Sequence, residues 1–199
     1  RGGYQRRRDL GRPWRRHGRR GVGPGSRPLP LVQVGERTVA CDTDLWRLGA
    51  TELAKLTRTR RASSHEVVEA HLRRIEACNR SVNAIVVVLA DEALEASKAA
   101  DRAVADGAWL PPLHGVPFTI KENLDVVGTP TTQGLTALAG AFPVRDAPVV
   151  ERLRQAGAIP IGRTNMTSGA VRWHCESELW GATVNPWDAT RTPGASSAG

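Results

Sequence analysis

Lys121 is one of only three lysines in a chain of 199 residues that otherwise carries its positive charge on arginine. An arginine keeps its proton throughout the range in which proteins work, whereas a lysine set among apolar side chains can surrender it. The run Gly115-Val116-Pro117-Phe118-Thr119-Ile120-Lys121-Glu122-Asn123 supplies such neighbours in Val116, Phe118 and Ile120, so Lys121 is read as an acid/base group. At the other end, Gly194-Ala195-Ser196-Ser197-Ala198-Gly199 is a small-residue loop bearing two serines, of the kind that lets backbone amides approach a reacting group. A hydroxyl beside an uncharged amine is an arrangement for moving a proton. The plainer alternatives are a lysine at a strand end with its ammonium in water, and a Ser/Gly turn that caps its own backbone.

Between these segments stand Gly162-Arg163-Thr164-Asn165-Met166 and Asn185-Pro186-Trp187-Asp188. In this order, from about Leu45 to Gly199, the four segments resemble the amidase signature family of serine hydrolases. The resemblance implies an α/β fold with a mixed sheet flanked by helices, here incomplete, and hydrolysis of carboxamide C–N bonds by a Ser/cis-Ser/Lys triad. It implies Lys121 as the base and Ser196 as the relay serine, 75 residues further on, beside a cis bond that involves Ala195. The nucleophilic serine of the family lies in a later glycine-rich segment beyond Gly199. The chain is therefore expected to be the amino-terminal part of a longer catalytic domain and inactive by itself. The resemblance also puts Ser197, Thr164 and Asn165 on the substrate side, and Thr129 to Gly134 in a substrate-side loop. The duller reading of each is turn chemistry. Four places depart from the family pattern: Ala195 and Ala198 replace glycines, Arg163 replaces a lysine, and Ser168-Gly169 stand where acidic and aromatic residues are common.

Composition limits the alternatives. With 40% hydrophobic and 5% aromatic residues the chain has room for one ordinary core. The net charge of +8 is uneven, because residues 1–30 hold ten arginines against Asp9 alone. Residues 1–42 are expected to be a disordered Arg/Gly/Pro-rich arm and join, and residues 43–199 the folded part. Such an arm can bind nucleic acid by counterion release, but it contains no base-reading motif, and no nucleic-acid partner is expected. Its plainer explanation is sequence ahead of the folded part with no function of its own. No apolar stretch follows the arginines as in a signal peptide, and none is long enough to span a membrane.

Cys41, Cys78 and Cys175 are odd in number and widely spaced, which argues against a disulfide framework or a zinc site and for a reducing cytoplasm. His65, His71, His114 and His174 share no metal-ligand spacing, so neither a metal nor a cofactor is expected. Trp173, His174, Trp180 and Trp187 are candidates for an acyl pocket, against the commoner fate of packed core or loop residues.

Periodicity supplies the frame. Leu45, Leu48, Leu53 and Leu56 predict a short helical stretch over 44–57, with Thr51 able to cap its second part. Ser63 followed by Glu66 is a capping-box pattern, and Val68, Leu72 and Ile75 predict a helix from there to about Asn79. Ala84 to Leu89 reads as a strand buried on both faces, 91–106 as a helix and 116–120 as a strand with Lys121 at its end. A helix over 147–157 and a short strand over 159–161 follow, then loop with short strands. Alternating strands and helices imply an α/β layer, in which chemistry gathers where strands end.

Three functions remain: an amidase segment acting on a small-molecule amide, the amidase subunit of a glutamine-dependent amidotransferase complex, or a noncatalytic remnant or nucleic-acid-binding protein that works through the arm. Homo-oligomerisation is kept as a further expectation, as is failure of the segment to fold alone.

Overall fold

A computed structural model describes residues 45–194 together with Ser196 and Ser197. The arm expected over residues 1–42 lies outside the described residues. A 3-10 turn, Leu45–Arg47, leads into helix α1 (Ala50–Arg58), which Gly49 and the Glu52 side chain start in place of Thr51. Helix α2 (Ser64–Val82) begins as its capping box requires: Glu66 N donates to Ser63 Oγ at 3.0 Å, and Ser63 N donates to Glu66 Oε2 at 2.7 Å. Replacing Ser63 by alanine removes one of these bonds and should cost about 1 kcal/mol, read as a lower melting temperature. An unchanged melting temperature would show that the first turn is held by other contacts alone.

The helix runs three residues past Asn79. That side chain is turned to the next element, accepting from Ile85 N and donating to Ile85 O, while Asn83 closes the helix in the left-handed region at φ 53°.

Strand β1 (Ile85–Val88), helix α3 (Ala90–Ala105), strand β2 (Pro117–Lys121), helix α4 (Pro148–Gln155) and strand β3 (Ile159–Thr164) complete the frame. The sheet order is β1-β3-β2, with β3 antiparallel to β1 and parallel to β2. Val68 of α2 and Ala93 of α3 pack with Ile159 and Ile161, and Val150 of α4 packs with Ile120 and Val126. A third cluster joins α1 and α2 through Leu53, Leu56 and Val67, with Val116 just ahead of β2.

The strand buried along its whole length is β3, not β1, which lies at the edge of the described sheet with Val88 exposed. Pro160 and Gly162 hid this in the sequence, since both weaken a strand pattern. The structure accommodates them with irregularities. The β2–β3 register shifts between Phe118 and Thr119, opposite Pro160 to Gly162, where proline has no N–H for the ladder. A Cβ on Gly162 would lie 2.8 Å from Ile85 Cγ2 and 3.0 Å from Val87 O, so glycine is what lets β1 close onto β3.

His71, half-buried on α2, has its pKa lowered by burial, against the opposing effect of its bond from Nδ1 to Val67 O at 2.8 Å. The unfolded chain then binds more protons than the folded one just below the ordinary value of 6.5, so this residue withdraws stability as pH falls from there through its folded pKa. In His71→Asn the decline in urea midpoint between neutral and mildly acidic pH should be shallower. An identical decline would assign it to other groups.

Candidate active site at the end of strand β2

Lys121 closes β2, opposite Thr164 in the parallel ladder. Its neighbour Glu122 donates N–H to Thr164 O at 3.1 Å, and Leu124 N returns to Lys121 O at 3.0 Å, so the chain is held on both sides of the lysine. Ile120 beneath it is buried and Lys121 itself is half-buried. Its Nζ donates to Ser196 Oγ at 3.5 Å, across 75 residues of chain. That is the long end of hydrogen bonding. Ser197 is exposed. The cis bond expected at Ala195 lies outside the described residues.

Thr164 is buried in β3 with its carbonyl committed to Glu122. Asn165, fully buried, gives its amide to the hairpin of β4 (Glu176–Ser177) and β5 (Gly181–Ala182). Its Nδ2 donates to Gly181 O at 3.1 Å and Thr183 Oγ1 at 3.0 Å, and its Oδ1 accepts from Ser177 Oγ at 3.2 Å and Met166 N at 2.9 Å. Of the aromatic candidates, Trp180 reaches the loop after β2, donating Nε1 to Thr132 Oγ1 at 3.3 Å. Trp173, His174 and Trp187 are exposed.

Two charged residues to which sequence patterns assign no role lie fully buried beside Lys121. Glu122 accepts from Thr132 N at 2.6 Å, Thr132 Oγ1 at 2.7 Å and Gly134 N at 3.2 Å. Arg163 donates Nη1 to Thr129 Oγ1 at 2.8 Å and Pro130 O at 2.5 Å, and Nη2 to Leu124 O at 2.6 Å and to Glu122 O. Burial lowers the arginine's pKa, while the charges of Glu122 and Asp125 raise it. An arginine begins so far above neutrality that it stays charged. Gly134, at φ +69°, ends this loop against the hairpin, where a Cβ would lie 2.6 Å from Ser177 Cβ. An arginine inside an otherwise apolar strand was the available signal, because such a charge must find partners.

Among the described residues no group of three or more His, Cys, Asp or Glu is gathered to hold a metal. No described helix is long and apolar enough to cross a membrane.

The amidase family model matches residues 66–199, a stretch that includes both Lys121 and Ser196. The chain belongs to the amidase family. Within it, the chain is 46% identical over 155 residues to an indoleacetamide hydrolase of Bradyrhizobium diazoefficiens, covering 78% of this chain and 30% of that protein. It is 44% identical over 157 residues to a glutamyl-tRNA(Gln) amidotransferase subunit of Acidothermus cellulolyticus, covering 79% and 31%. Among solved structures, the peptide amidase of Stenotrophomonas maltophilia superposes with a TM-score of 0.70 at 32% identity, over 75% of this chain and 32% of the other. The fold is thus the amidase fold in part, with its mixed sheet and flanking helices. The chain spans about a third of the length of these relatives.

Proposed function

We propose that the protein carrying this chain hydrolyses carboxamides through an acyl-serine intermediate, with Lys121 as the base and Ser196 as the proton relay. The observation that supports this most directly is the approach of Lys121 Nζ to Ser196 Oγ at 3.5 Å at the end of β2. In the scheme, Lys121 is the terminal acceptor of the proton. The nucleophilic serine, on a glycine-rich segment beyond Gly199, attacks the carbonyl carbon as its proton passes to Ser196, and the proton of Ser196 passes to Lys121. The same proton returns by way of Ser196 to the nitrogen as the C–N bond breaks, and water then cleaves the ester to release the acid. The small residues from Gly194 to Gly199 suit a close approach of backbone amides to the reacting groups, Ser197 follows the relay serine directly, and Thr164 stands opposite Lys121 in the β2–β3 ladder. Asn165 acts on the substrate side by holding the β4–β5 hairpin against it. The unpaired thiols of Cys78 and Cys175 fit a reducing cytoplasm.

A second reading, in which the protein releases ammonia from glutamine for a partner within an amidotransferase complex, is favoured by the nearly equal identity to the amidotransferase relative. Assaying full-length protein on simple amides and on glutamine, by itself and with partner subunits, separates the two. Hydrolysis of simple amides by the protein alone supports a free amidase, and glutaminase activity that needs a second subunit supports the alternative. Failure of both would remove the hydrolytic reading.

A further inference from the structure

Between Glu122 and Gly134 the chain leaves the end of β2, turns and comes back to the hairpin, and its polar groups are gathered by two buried side chains of opposite charge. The guanidinium of Arg163 collects oxygen atoms of Glu122, Leu124, Thr129 and Pro130. The carboxylate of Glu122 collects the donors of Thr132 and Gly134. Each charge lies in a fully buried place and is neutralised by fixed dipoles and by the other, so neither is free to reorient. A flat fork with donors on two nitrogens can serve four oxygens at once, which a lysine ammonium with three donors cannot match. The consequence falls on Lys121, because Glu122 is fixed at its N–H by Thr164, at its carbonyl by Arg163 and at its carboxylate by the returning loop.

On the reading of Lys121 as the base, we infer that Arg163 and Glu122 are positioning residues that clamp the loop 122–134 and thereby set where the Lys121 amine meets the Ser196 hydroxyl. Neither touches the reacting atoms. Arginine, where the family pattern has lysine, is what this loop is fitted to.

The test uses full-length protein bearing Arg163→Lys, Glu122→Gln or Thr129→Val. The last is a near-isosteric change that removes one of the four acceptors. For Arg163→Lys and Glu122→Gln, kcat for amide hydrolysis should fall about 10- to 100-fold, as expected of a small displacement, with KM changed by less than about threefold. Thr129→Val should give the same pattern at smaller size. The pH profile of kcat/KM should move with kcat. A second readout needs no activity: the rate at which an amine-acylating reagent labels Lys121 as a function of pH, with Lys55 and Lys98 in the same molecule as references. The variants should shift the Lys121 profile and leave the other two unchanged. Loss of thermal stability with kcat, pH profile and Lys121 labelling all as in the parent would overturn the inference, leaving a purely structural pair. If the parent protein hydrolyses no amide, or Lys121→Ala retains its activity, the base assignment fails on its own. The labelling profiles then decide whether the clamp still governs the amine.

Discussion

Lys121→Ala in the full-length protein is expected to lower kcat for amide hydrolysis by at least about 10³-fold, roughly 4 kcal/mol of transition-state stabilisation, with little change in KM. The effect should be that large because relay and base act as a unit, and a hydroxyl whose proton has no acceptor contributes almost nothing. Ser196→Ala should fall in the same range, and the double variant should be hardly worse than either alone. Lys121→Arg is the sharper control. It keeps a cation of similar reach but cannot take a proton at working pH, so it should be as inactive as the alanine variant if Lys121 works as a base. An arginine variant with most of the parent's activity would instead make the residue an electrostatic anchor for the loop that carries Ser196.

The largest effect on stability should come from Arg163→Met. It leaves the charge of Glu122 buried without its counter-charge and strands four oxygen atoms of the loop that the guanidinium serves. Removing one partner of such a buried set costs about 3–5 kcal/mol, against total stabilities of about 5–15 kcal/mol for a domain. Urea unfolding of the full-length variant measures it. Combining the change with Glu122→Gln should cost less than the sum of the two, since the second substitution removes the charge that the first exposed. A loss below about 1 kcal/mol would mean that water replaces the guanidinium, and the loop would then have to be held mainly by its contacts with the hairpin.

Most of the frame was legible because it is written in local patterns. Ser63 and Glu66 mark the start of α2, the spacing of Val68, Leu72 and Ile75 gives its inner face, and Val116 to Ile120 announces the strand that delivers Lys121. The misreadings of burial have one cause, which is that burial depends on neighbours that local sequence does not name. The β-branched run Ile85–Val88 lies at the edge of the described sheet, while the central place goes to Ile159–Thr164, where proline, glycine and arginine dilute the signal. Lys121 and Ser196 were brought into view by motif order, and the 3.5 Å approach is a tertiary fact that spacing alone does not contain. The part played by Glu122 was hidden for the same reason, because its partners Thr132 and Gly134 look like ordinary turn residues until the turn is folded back.

The order β1-β3-β2 makes the last of the three strands to be synthesised the one in the middle. While the ribosome adds the stretch from Lys121 to Thr164, which takes roughly two to nine seconds at ordinary rates of synthesis, β1 and β2 have emerged or are emerging with no partner between them. Two unpaired strand edges, one of them ending in the lysine, are then open to any other extended chain nearby. This interval, more than the finished fold, is where the nascent protein would most need a chaperone.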